Sequence, residues 1–144
     1  MKRGELMKII VSACLLGENC KYNGGNNYSE RVAAFVEGRE VIRVCPERLA
    51  GLGIPRVPIE ICDGVIFDKN GKCVDAEIRA AIDAILGEID PCEIECAILK
   101  SRSPTCGVKE VYDGSFSGKL IPGMGSLAKA LQELGIRVVD SEDI

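Results

Sequence analysis

The sequence predicts an α/β fold in a single domain, residues 1–144, with a mainly parallel sheet flanked by helices. Three observations carry this expectation. Short runs rich in Val and Ile, too brief for helices, read as buried strands, and Ile9-Ile10-Val11 is the plainest of them. Stretches of helical spacing fall between these runs, so strand and helix alternate. A chain of 144 residues suits one domain, which should bury roughly two-thirds of its unfolded surface.

The elements follow in order. Residues 8–14 form a first strand, and Tyr22-Asn23-Gly24-Gly25-Asn26-Asn27 a Gly/Asn-rich loop. Ser29 can cap a short helix over 31–37, ended by Gly38. The second strand is 40–45, stopped by Pro46, and the Gly- and Pro-rich stretch 51–58 should be irregular. Residues 59–67 and 72–74 read as a small hairpin around Asp68-Lys69-Asn70-Gly71. Ile78, Ile82, Ile85 and Leu86 then keep helical spacing from Asp75 to about Gly87. A third strand spans 95–101, a long loop 102–124, a last helix 125–134 and a last strand 136–140. Loops as long as 102–124 are usually functional. The alternation implies right-handed crossovers and a Rossmann-like sheet, with the hairpin as an insertion.

The formal net charge of −4 gives no general attraction to DNA or to anionic membranes. The apolar stretch 9–16 is too short to span a bilayer, and no small-residue cleavage pattern follows it, which argues against a membrane span or secretory signal. A cytoplasmic protein is expected. There the eight cysteines should stay reduced, as metal ligands, catalytic thiols or small hydrophobes. Histidine is absent, which removes every Ser-His, Cys-His and His-metal mechanism.

Cys14, Cys45 and Cys106 stand at or just beyond the ends of three strand runs, where ligands bind in open α/β sheets. One thiol per strand end points to a shared pocket with a soft metal. The alternative is three buried cysteines packed as small hydrophobes. Cys62, Cys73, Cys92 and Cys96 are assigned to that bland role, and Cys20 stays open. Zinc would want four ligands, and no histidine can complete the set. A [4Fe–4S] cluster on three cysteines leaves one iron with an open position.

Several segments, in order, resemble the 2-thiouracil desulfurase family. They are Ser12-Ala13-Cys14-Leu15-Leu16-Gly17, Cys20-Lys21-Tyr22-Asn23-Gly24-Gly25, Cys45-Pro46-Glu47, Pro55-Arg56-Val57-Pro58-Ile59-Glu60-Ile61, Lys100-Ser101-Arg102-Ser103-Pro104-Thr105-Cys106-Gly107 and Phe116-Ser117-Gly118-Lys119. The resemblance implies a [4Fe–4S] cluster on Cys14, Cys45 and Cys106. It implies non-redox desulfuration of a thiolated pyrimidine, with the open iron accepting the sulfur. The substrate would be a 2-thiouracil-like base, a nucleoside or a thio-modified tRNA. Glu47 would activate water or return a proton; otherwise it is a loop cap or salt-bridge partner. The desulfurase branch carries a second carboxylate two residues after that glutamate and a serine after the last cysteine. Here Leu49 and Gly107 stand there, and Ser103 is the substitute candidate.

Tyr22, Asn23, Gly24 and Gly25 could offer a stacking ring and backbone amides to a base, or be a plain turn. Arg56 and Lys100, with Arg48, Arg102, Lys109 and Lys119 nearby in sequence, could offset thiolate charge or hold a phosphate, or form a solvated rim. Gly123-Met124-Gly125-Ser126-Leu127-Ala128 matches a dinucleotide-binding pattern, but Ile121-Pro122 is a poor central strand and too little chain follows. Two other functions fit the thiols: a sulfur-transfer protein carrying sulfide on its cluster, and a non-catalytic metal-binding or redox-sensing module.

Overall fold

Ile9, Ile10 and Val11 are wholly shielded from solvent, as are Ala97, Ile98 and Leu99. Continuous apolar runs of this kind need cover on both faces. In the computed structural model, which describes residues 7–144, they form the two central strands of a four-stranded sheet. Its order is β2-β1-β5-β8, from β1 (Lys8–Ser12), β2 (Glu40–Val44), β5 (Ile94–Leu99) and β8 (Val138–Asp140). All three neighbouring pairs run parallel.

Side chains alternate across the sheet and build two cores. Ile10, Ala97 and Leu99 pack with Ile78, Ile82 and Ile85 of helix α3 (Asp75–Gly87) and with Leu127 and Leu131 of α4 (Ser126–Glu133). Ile9, Val11, Cys96 and Ile98 meet Val32 and Val36 of α1 (Glu30–Val36) on the other face. Each large aliphatic chain fully buried here contributes roughly 1.5–3 kcal/mol. Ser29 caps α1 as expected, its hydroxyl accepting from Val32 N at 3.2 Å.

Five expectations are corrected. The first strand ends at Ser12, and Cys14 lies in a 3-10 turn, Ala13–Leu16. Pro46 does not merely stop β2: it opens a short helix, α2 (Pro46–Leu49), where a proline lacks no needed donor. The run 59–67 breaks at Asp63-Gly64, both with positive φ, into the antiparallel pair β3 (Ile59–Cys62) and β4 (Val65–Asp68). The turn at 68–71 forms as well: Asp68 Oδ1 accepts from the amides of Asn70 and Lys72 at 2.9 Å each. The loop 102–124 contains a second small hairpin, β6 (Glu110–Tyr112) with β7 (Leu120–Pro122). Cys62 and Cys73 are exposed rather than packed, because they alternate with the core residues Ile61 and Val74 and so take the solvent side; Cys92 is exposed in a 3-10 turn, and Cys96 is buried as expected.

No helix among the described residues is long and apolar enough to cross a membrane. From β1 the chain moves outward to β2 on one side, while β5 lies on the other, so the strand order reverses between β1 and β5. Such a switch point opens a crevice at the carboxyl ends of the strands. There Ser12 Oγ accepts from Lys100 N at 2.9 Å and ties the two strand ends together.

Candidate active site

A cavity of about 570 Å³ opens at this switch point, and Cys14, Cys20, Cys45 and Cys106 all line it. Each thiol arrives on a different device. Cys14 sits in the 3-10 turn after β1, and Asn27 Nδ2 donates to its Sγ at 3.4 Å. Cys45 is the residue that caps α2. Its thiol points at the carbonyl of Cys20 and at Glu47 Oε2, both at 3.9 Å. Cys106 follows a tight turn in which Ser103 Oγ accepts from the amides of Thr105 and Cys106, at 3.2 and 3.0 Å.

The site holds its thiols protonated. Burial pushes the Cys106 thiol up to about 12, and the nearby Glu47 carboxylate adds to the rise. Cys20 also rises to about 12, through burial first and then through Cys45 beside it. Burial raises Cys14 and Cys45 too, offset in part by the Asn27 amide at Cys14 and by the Arg48 N–H and the Arg56 guanidinium at Cys45. A metal binding here must displace protons.

Glu47 lines the cavity together with Ser103. Between them stands Thr105, fully buried and not singled out from the sequence. Thr105 Oγ1 donates to Glu47 Oε1 at 3.1 Å, and Ser103 Oγ lies 3.1 Å from Thr105 Oγ1. With the Thr105 proton committed to the carboxylate, Ser103 supplies the donor of the second bond, giving a chain of two hydroxyls that ends on Glu47.

Tyr22, Arg56 and Lys100 line the cavity as well. Arg56 donates its N–H to Tyr22 O at 2.7 Å and its guanidinium to Cys20 O at 2.8 Å. Lys100 Nζ is bound to Ser101 O and Oγ at 3.2 and 3.0 Å. Asn23, Gly24 and Gly25 are not part of the cavity wall: Asn23 Oδ1 accepts from Gly25 N at 2.9 Å, and Gly24, with φ 83, turns the chain. They shape the turn that follows Tyr22.

The 2-thiouracil desulfurase family profile matches residues 9–143, nearly the whole chain. The chain belongs to the 2-thiouracil desulfurase family. A solved structure, the [4Fe-4S]-dependent thiouracil desulfidase TudS, superposes with a TM-score of 0.86 at 35% identity, covering 96% of this chain and 93% of that one. The uncharacterized protein YbbK of Bacillus subtilis (strain 168) is 34% identical over 146 residues, 94% of this chain and 97% of its own length.

As a desulfurase-family enzyme, the protein has a donor set that suits an iron–sulfur cluster. Soft thiols are the ligands such clusters take. Among the described residues, no three His, Cys, Asp or Glu side chains gather closely enough for a single ion; a polynuclear cluster spreads its ligands more widely. Gly107 is fixed by the packing around it. A Cβ there would meet Ser103 O at 2.7 Å and Glu110 O at 2.9 Å, so no serine fits without a shift. Leu49 is exposed on α2.

The Gly-x-Gly pattern near residue 125 serves this site rather than a dinucleotide. The first amides of α4 are already taken: Ser126 N binds Pro104 O, and Leu127 N and Ala128 N bind Thr105 O, at 2.8–3.1 Å. A Cβ on Gly125 would lie 2.5 Å from Thr105 O and 2.8 Å from Cys106 N. The glycine lets α4 press against the loop that presents Cys106.

Proposed function

We propose that the protein is a cytoplasmic [4Fe–4S]-dependent desulfurase that removes sulfur from a thiolated pyrimidine base or nucleoside without net redox change. The observation that carries the reading is the meeting of Cys14, Cys45 and Cys106, from three separate elements, in one cavity with the Glu47 carboxylate. Cys14, Cys45 and Cys106 would hold the cluster. When bound on three thiolates, it supplies an iron free to act as a soft Lewis acid toward sulfur.

The chain's own residues supply the rest. Glu47 takes a proton from the water that adds to the sulfur-bearing carbon and returns it to the departing sulfur. Overall C=S and H₂O become C=O and H₂S, with no electrons gained or lost. Thr105 holds Glu47 Oε1, and Ser103 backs Thr105. Tyr22 offers a face for stacking, Arg56 and Lys100 bring positive charge to the substrate, and the turn at Asn23, Gly24 and Gly25 carries Tyr22. The acidic net charge favours a small substrate over tRNA. Eight free thiols suit a reducing compartment.

The test is anaerobic reconstitution, iron and sulfide analysis, and incubation with 2-thiouracil, 4-thiouridine and thiolated tRNA. Sulfide released in step with uracil or uridine supports the reading. An intact cluster that turns over none of the three overturns it in favour of a sensing module. Sulfide handed to an acceptor without base turnover overturns it in favour of sulfur transfer. Glu47→Gln should keep the cluster spectrum and lose about 10²–10⁴-fold in kcat, the scale of a general acid–base group.

A further inference from the structure

The loop between β6 and β7 takes no part in the scheme above, yet it brings an aromatic ring to the cavity. The chain has three Tyr, three Phe and no Trp, and half of these six rings, Tyr22, Tyr112 and Phe116, line this one space. Phe116 adopts φ 57, in the left-handed region that disfavours any side chain. The amides of Gly114 and Phe116 both donate to one carboxylate oxygen, Glu60 Oε1, at 2.9 and 3.1 Å. Gly114 lies hard against β3: a Cβ there would come within 2.6 Å of Cys62 Cβ. The loop is therefore fastened to β3 by its backbone.

The same short segment fastens the loop that carries Tyr22, through Arg56. Positions 56 and 60 can stand at most about 14 Å apart. One stretch of chain thus sets the spacing of two aromatic rings that arrive on separate loops.

We propose that Phe116 is a specificity-determining residue that stacks on the pyrimidine ring together with Tyr22, and that Glu60 is the positioning residue that holds the Phe116 backbone in place. This inference rests on the desulfurase reading and says how that site selects a flat, unsaturated heterocycle. A π-face on the substrate is what the two rings recognise. The 5,6-dihydro derivative of 2-thiouracil, puckered and without a conjugated ring, should be rejected.

The experiment uses anaerobically reconstituted holoenzyme. Phe116→Leu should raise KM for 2-thiouracil about tenfold, the scale of one base–aromatic stack. It should leave kcat and iron content unchanged and narrow the preference over the dihydro compound, while Phe116→Tyr keeps the original KM. Glu60→Ala should copy the KM rise and expose the Gly114 and Phe116 amides to hydrogen exchange. Glu60→Gln, whose side-chain oxygen still accepts, should preserve both. An unchanged KM in Phe116→Leu, or a fall in kcat that follows iron loss, overturns the stacking role. Amides that stay protected in Glu60→Ala overturn the anchor, and that result is read without any turnover. Should the parent enzyme act on no thio-base, the desulfurase reading fails and the stacking role falls with it.

Discussion

Thr105 donates its hydroxyl hydrogen to Glu47 Oε1 at 3.1 Å, although 58 residues of chain separate the two. The bond joins the loop of Cys106 to the helix that follows Cys45, so each cysteine-bearing segment helps to orient the other. Thr105→Val keeps the shape and removes the donor. We expect kcat to fall roughly tenfold to a hundredfold, as a displaced catalytic group costs, with iron content unchanged. Thr105→Ser should restore activity. A valine variant as fast as the parent would refute the positioning role.

The thiols divide by accessibility. Cys62, Cys73 and Cys92 are exposed and should react first with iodoacetamide under anaerobic conditions. Cys14, Cys45 and Cys106 should become modifiable only once iron is chelated away. Cys96, buried against α1, should wait for unfolding. Peptide mass spectrometry reads the order, and labelling of Cys45 as quickly as Cys62 in the iron-loaded protein would contradict the ligand assignment.

Alkaline pH should weaken the metal-free fold. Cys20 and Cys106 are raised from 9.0 to about 12 in the folded chain. Below about pH 9 both states hold these protons, and the contribution to stability is complete. Between about 9 and 12 the unfolded chain releases protons that the folded chain keeps, so stability falls as pH rises. The urea midpoint of reduced, chelated protein should therefore drop across pH 9–11, and Cys106→Ala should flatten the slope. A midpoint flat over that range would reject the shifted thiols.

Gly125→Ala tests the close approach of α4. Its Cβ would lie 2.5 Å from Thr105 O, and relief of such overpacking costs typically 1–3 kcal/mol. A lowered Tm and weaker iron retention are expected together. Gly87→Ala, with open space at its Cβ, is the control and should be neutral or slightly stabilising.

Much of this is legible in the sequence. The Val/Ile runs placed the parallel strands because buried strands need continuous apolar cover, and Ser29 announced its helix by ordinary cap chemistry. Two turn signals lay close together at Asp63-Gly64 and Asp68–Gly71; the chain uses both, and the unbroken look of Ile59 to Phe67 hid the first. β6 and β7 were missed because three residues carry too little periodicity to register. Thr105 looked like loop filler between Pro104 and Cys106, since its burial depends on α4 arriving from twenty residues away. Phe116 was noticed only within a motif; what holds it, Glu60, is distant in sequence. Pairings of that kind belong to tertiary packing.

The loop that presents Cys106 is also laced to the segment after β8. Arg102 pairs with Glu142 at 2.8 Å and Glu110 at 3.4 Å, and Lys109 with Asp143 at 3.2 Å. Each pair is at least one-third exposed, and alone would be worth little. Together they make one rim of the crevice answer to ionic strength: rising KCl would slacken this lacing while the thiols, set deeper and shielded from counter-ions, keep their places.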